Sequence, residues 1–157
     1  MKTAKLLTVG FALGLGGFVG APAWAAEYLG VTPRDIKWVD APSIGPGAKT
    51  AVIHGDPKGS GPFVMRLRIP AKTNIKVHTH PADENVTILS GTLYFAAGDK
   101  FDTKKAKAFG PGSYFSIDKG KPMFAYSTDK EVVAQIHGTG PWGMSYVGAM
   151  DAPAKKK

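Results

Sequence analysis

Residues 63–69 alternate without a break, with Phe63, Met65, Leu67 and Ile69 on one parity and Val64, Arg66 and Arg68 on the other. Successive side chains of an extended strand point to opposite faces, so this pattern predicts a strand with one buried and one wet side. Shorter runs rich in β-branched and aromatic residues predict further strands at 50–54, 74–80, 85–89, 92–96, 114–117, 123–126, 132–137 and 145–147. Gly, Pro, Asp and Lys separate them, and Gly98-Asp99-Lys100 has the chemistry of a hairpin turn. No segment sustains a helical period and no internal repeat stands out. Many short strands in roughly a hundred residues predict an all-β, single-domain jelly-roll barrel, small enough to hold one metal or ligand in its mouth.

The first 25 residues break this pattern. A basic start with Lys2 and Lys5 leads into an apolar stretch at 6–20 and the small residues of Ala23-Trp24-Ala25. That order predicts a secretory signal peptide at 1–25, cleaved after Ala25. The apolar run is too short and too rich in glycine for a membrane span. With no cysteine in the chain there is no lipoprotein acceptor thiol and no disulfide framework. The expected product is periplasmic or secreted. Its organisation is read as a linker-like extension at 26–49, containing Pro33, Pro42 and Gly45-Pro46-Gly47, then the β-barrel at 50–150 and a basic tail at 151–157.

Charge adds little. The chain carries 20 Lys and Arg against 12 Asp and Glu; without Lys2 and Lys5 the basic residues number 18, a net charge of about +6 by the same counting. Nucleic acid is a poor partner for an exported protein whose basic residues do not interleave with exposed aromatics. Lys104, Lys105 and Lys107, like Lys155, Lys156 and Lys157, read as solvated surface.

The chemistry concentrates in His78-Thr79-His80-Pro81-Ala82-Asp83-Glu84, followed by Gly91. Histidines two apart on a strand project to one face, and a carboxylate just past the bend at Pro81 can return to that face. Two imidazoles and a carboxylate suit a borderline divalent cation: iron, manganese, zinc or nickel. Gly91 falls where a strand pair turns tightly. Taken singly, each histidine is more often a satisfied polar residue than a ligand; it is the set that argues for metal. His137 shares parity with Val133 and Gln135, and either polar residue could approach the metal if that face were the lumen; capping at a strand end is the simpler reading. His54, beside Gly55-Asp56-Pro57, reads as surface. Tyr94, Phe95, Phe115, Phe124 and Tyr126 are candidates to line the cavity, and Trp142, after Gly140-Pro141, is read as sitting at the barrel mouth or covering the core.

These residues resemble the two motifs of the cupin superfamily. His78-x-His80-x-x-x-Glu84, with Gly91 seven residues on, is similar to the first, which usually opens with a glycine where Lys72 stands here. Gly112, Asp118, Gly120 and Met123 occupy the second, with Asp118 in place of a proline and Met123 in place of a histidine. The resemblance spans about 62–137. It implies a small β-barrel, commonly a homodimer, with His78, His80 and Glu84 as metal ligands and Met123 at the fourth position. A thioether is a soft neutral donor, so three outcomes stay open. The site is an open 2-His-1-carboxylate set; or it takes copper through Met123; or it has lost its metal and Met123 fills the core. The function is correspondingly a metal-dependent enzyme for a small organic substrate, such as an oxygenase, isomerase or lyase; a binding or sensing module for a small-molecule ligand; or a structural cupin. No nucleophile elbow or phosphate-cradling loop points elsewhere.

Overall fold

The computed structural model describes residues 28–148 and 153. The leader expected at 1–25 lies outside the described residues, as does the basic tail expected at 151–157 apart from Pro153. The chain divides into two units, 1–30 and 31–157, and every strand among the described residues lies in the second.

Eleven strands run through the described residues: β1 (Val39–Asp40), β2 (Lys49–His54), β3 (Pro62–Ile69), β4 (Asn74–Thr79), β5 (Glu84–Ser90), β6 (Leu93–Ala97), β7 (Lys107–Phe109), β8 (Tyr114–Ile117), β9 (Met123–Ser127), β10 (Val132–Thr139) and β11 (Ser145–Tyr146). The only helical piece among them is a 3₁₀ turn at Thr103–Lys105. Each expected strand is present within a residue or two. β1 and β7 are additional: β1 is only two residues long, and the Lys107–Phe109 run carries too little apolar alternation to be read as a strand. No helix among the described residues is long and apolar enough to cross a membrane.

The strands form two antiparallel sheets, ordered β1-β2-β3-β10-β5-β8 and β11-β4-β9-β6-β7. They pack over one core to which Phe63, Leu67 and Ile136 contribute from the first sheet and Ile75, Leu93 and Ala125 from the second. Fully burying side chains of this size contributes about 1.5–3 kcal/mol each. The fold is all-β and of the jelly-roll type, but the two ladders stay separate and do not close into one continuous barrel.

Strand parity decides which side chains meet. In β3 the alternation holds as read, with Phe63, Met65, Leu67 and Ile69 buried. In β10 the buried residues are Val132, Ala134 and Ile136, so Gln135 and His137 lie on the opposite face, away from the core. That removes His137 as a rescue ligand. In β9, Met123 and Ala125 face the core, while Phe124 joins Val77 and Ala96 in a second apolar cluster with Tyr126 and Phe101 packed against it.

Residues 31–48, read as linker, take part in the core. Ala41, Ile44 and Ala48 are buried, and Ala41 N–H donates to Ala48 O at 2.9 Å to close a tight excursion. The polar and proline-rich surroundings hid three small apolar anchors. Gly91 fulfils its expected role at the β5–β6 turn: its φ is +74°, and a Cβ there would sit 2.3 Å from Glu131 O.

Candidate metal centre

β4 carries His78 and delivers His80 just past its end, and a bulge aims them. Ile75 pairs with Ala125 and His78 with Met123, so three steps on β4 oppose two on β9. The extra residue flips the parity of the strand. Ile75 and His78 therefore both face the interior, and His80 follows two residues later. Past Pro81-Ala82-Asp83 the chain crosses to the other sheet, where Glu84 opens β5. The histidines and the carboxylate thus approach one another across the space between the sheets. All three are buried, at 4%, 4% and 6% exposure.

Each imidazole is fixed by a backbone carbonyl. His78 Nδ1 lies 2.6 Å from Lys76 O and His80 Nδ1 lies 2.5 Å from Gly143 O. A carbonyl can only accept, so both rings carry their proton on Nδ1 and, when neutral, present a lone pair at Nε2. Burial pushes both histidines toward that neutral form. His80 is driven down to about 4 by desolvation, opposed by its bond to Gly143 and assisted by the neighbouring His78. His78 moves the same way for the same main reason, opposed by its bond to Lys76. Burial pushes Glu84 up to about 8.

Both directions disfavour an ion pair between His80 and Glu84. His80 Nε2 is 3.5 Å from Glu84 Oε1, close enough for an ion pair by distance alone. Burial favours the uncharged imidazole and the protonated carboxyl alike, a contact between two neutral groups. His80 Nε2 is fully buried and has no hydrogen-bond partner. Leaving such an atom unpaired costs about 1–3 kcal/mol. Two donors bound to one ion with bonds of about 2.1 Å stand about 3.0–3.4 Å apart, from octahedral or tetrahedral angles. The separation here is near that value and too long for a good hydrogen bond. The donor set therefore fits a cation. Among the described residues no three His, Cys, Asp or Glu side chains already stand close enough to share an ion; binding through all three requires a side-chain adjustment.

The donors open onto a cavity of about 40 Å³, room for about three water-sized guests. Its other walls are apolar, among them Leu67, Val86, Phe95, Phe115 and Met123. Phe95 and Phe115, expected in the lining, are there; Tyr94, Phe124 and Tyr126 are not. Tyr94 and Tyr126 stack on each other at 4.8 Å. Trp142 lies on His80 at 4.7 Å between ring centroids and 16° between planes, and its neighbour Met144 also lines the cavity. Of the two positions expected for Trp142, barrel mouth or cover of the core, the ring takes one beside the candidate ligands, flat against His80. Met144, the carbonyl of Gly143 and Ile44 were not anticipated, because no local signal ties the C-terminal segment or the 41–48 excursion to β4.

Beyond the Ile44, Trp142 and Met144 wall lies an open groove of about 410 Å³, bordered by Val52, Met65 and Lys58. A bound organic molecule has space there but not in the inner cavity.

Solved structures share this fold at low identity. A polyketide cyclase from Streptomyces resistomycificus matches at 15% identity with a TM-score of 0.65, over 81% of this chain and 90% of that one. A protein of unknown function with a cupin-like fold from Ralstonia eutropha matches at 15% identity and 0.61, over 78% and 73%. A DMSP lyase from Ruegeria pomeroyi matches at 17% identity and 0.59, over 73% of this chain and 62% of that one. No curated protein sequence matches the chain. Residues 30–143 match the family described as "Domain of unknown function (DUF4437)". With that match covering most of its length, the chain belongs to the DUF4437 family, and its fold is cupin-like.

Proposed function

We propose that this protein is an exported cupin that holds a divalent metal ion through His78, His80 and Glu84 and presents it to a small organic molecule. One observation carries the reading: the buried, unpartnered Nε2 of His80 stands 3.5 Å from Glu84 Oε1, a spacing suited to two ligands of one ion. A divalent ion there would supply Lewis acidity, polarising an oxygen of the bound molecule. The chain's own residues do the rest. The carbonyls of Lys76 and Gly143 hold both imidazoles in the donor tautomer. Glu84, pushed up to about 8 by burial, can take or give a proton near neutral pH. Trp142 and Met144 keep bulk water from the donors. Fold neighbours named as a polyketide cyclase and a DMSP lyase support a small organic substrate. The sequence of residues 1–25 supports export.

A second reading, a cupin that holds a ligand without turning it over, is favoured by the small inner cavity and by Met123 at the fourth position. Elemental analysis of protein purified without chelator or affinity metal, beside His78→Ala/His80→Ala, tests the metal site common to both. Near-stoichiometric iron, manganese, nickel or zinc that disappears in the variant is the expected result. Metal retained by the variant, or none in either protein after reconstitution, overturns it.

A further inference from the structure

Two methionines share the cavity with the histidines. Met123 is 2% exposed and stands directly opposite His78 in the β4–β9 ladder. Directly opposed residues on one face have Cβ atoms about 4.5–5.5 Å apart, well within reach of a thioether. Met144 follows Gly143, whose carbonyl holds His80, and precedes Ser145, which pairs with Thr79. Its side chain also lines the cavity. The flexible thioethers thus flank the imidazole pair, one on β9 and one on the segment leading into β11.

Among the donors lining the cavity, two are imidazoles and two are thioethers, which bind a metal as neutral ligands, and Glu84 is the one acidic group. The remaining walls are aliphatic or aromatic. The cost of burying an ion rises steeply with its charge, so such a lining tolerates a monovalent ion better than a divalent one. Thioethers select soft ions and bind zinc, manganese or iron(II) weakly.

We infer that His78, His80, Met123 and Met144 form a soft-donor site that selects copper(I). This deepens the proposed function and rests on its histidine pair, changing the ion and replacing Glu84 in the ligand set by two methionines. No redox step is required: the ion binds as copper(I) to neutral nitrogen and sulfur donors.

The test is competition with bicinchoninate for copper(I) under anaerobic conditions, run on wild type, Met123→Leu, Met144→Leu, the double leucine variant and His78→Ala/His80→Ala. Zinc affinity is measured in parallel with a chromophoric chelator. Met to Leu conserves volume and costs less than about 1.5 kcal/mol in a core, so the variants should stay folded. Each single leucine variant should lose about tenfold or more in copper(I) affinity, and the double variant more, while zinc affinity stays within about threefold. A smaller copper(I) loss in the double variant, an equal loss of zinc affinity, or no copper(I) binding by wild type overturns the inference. If zinc still binds wild type and is lost with the two histidines, the histidine site survives that failure. If neither ion depends on the histidines, both readings fall together.

Discussion

His80 Nε2 and Glu84 Oε1 lie 3.5 Å apart with no hydrogen bond between them, one just past the end of a strand in one sheet and the other at the start of a strand in the opposite sheet. Both groups are buried and both are held neutral by that burial. Each is costly to leave as it is: a lone pair without a donor, and an acid whose anion has lost its hydration. A cation between them would relieve both.

Divalent metal binding should follow the proton on Glu84. The carboxyl must ionise to bind, whereas the two histidines are already neutral above about pH 6.5. Zinc affinity is expected to rise about tenfold per pH unit up to about pH 8 and then level off. Chelator competition across that range measures the slope. A flat profile in wild type would remove Glu84 from the ligand set, and Glu84→Gln should be flat by design.

The metal-free protein should behave oppositely in stability. The folded pKa of Glu84 is raised, to about 8, so the native state binds more protons than the unfolded one, and this contribution is lost as pH rises through 8. The folded pKa of His80 is lowered, to about 4, which destabilises the native state at low pH and ceases to matter above about pH 6.5. The two trends oppose each other below that pH. Above it Glu84 acts alone, and unfolding free energy should fall by on the order of 2 kcal/mol between about pH 6.5 and 8. Urea denaturation of chelator-treated protein reads this directly; stability rising over that interval would contradict the protonated Glu84.

Lys72 occupies the position at which the cupin motif has glycine, and its φ is +58°. That conformation costs a side-chain-bearing residue about 1–2 kcal/mol, whereas glycine adopts it freely. Lys72→Gly should therefore stabilise the protein by up to about 1 kcal/mol, after allowance for the extra freedom of glycine in the unfolded chain. Thermal or urea unfolding measures it. A destabilised variant would mean that the lysine side chain contributes more than its backbone strain removes.

Trp142 packs flat on His80, touches Phe63 at 6.1 Å between centroids, and donates its backbone N–H to Pro57 O at 2.6 Å. Trp142→Ala keeps that backbone bond and deletes the cover. It should lower stability by about 2–3 kcal/mol, below the full cost of a buried tryptophan because the residue is half-exposed. Extraction of bound metal by chelator should speed up about tenfold or more as water gains access. Unchanged extraction kinetics would show that the ring does not limit access to the donors.

The strands were legible because period-two alternation is a local property of the chain. The 63–69 run shows it most plainly, and all four inward residues are buried. Glu84, His78 and His80 were legible as a group because His-x-His places two rings on one face and Pro81 enforces the bend. What failed was parity away from that run. Phe124 and Tyr126 looked no different from Phe95 and Phe115, yet they point to the other side of their sheet, where Phe101 packs against them. The bulge in β4 likewise leaves no mark in composition, though without it Ile75 and His78 would face opposite ways.

By itself the sequence determined that this is an all-β chain, which residue types could bind metal, and how they are spaced along a bent strand, since each of these depends on neighbours within a few positions. The tertiary structure alone decided which groups meet them. Gly143 O reaches His80 from 63 residues away, Met123 faces His78 from a strand distant in sequence, and Trp142, Met144 and Ile44 line the cavity from segments with no regular pattern. Such contacts are set by strand order and register across two sheets, which local periodicity does not encode.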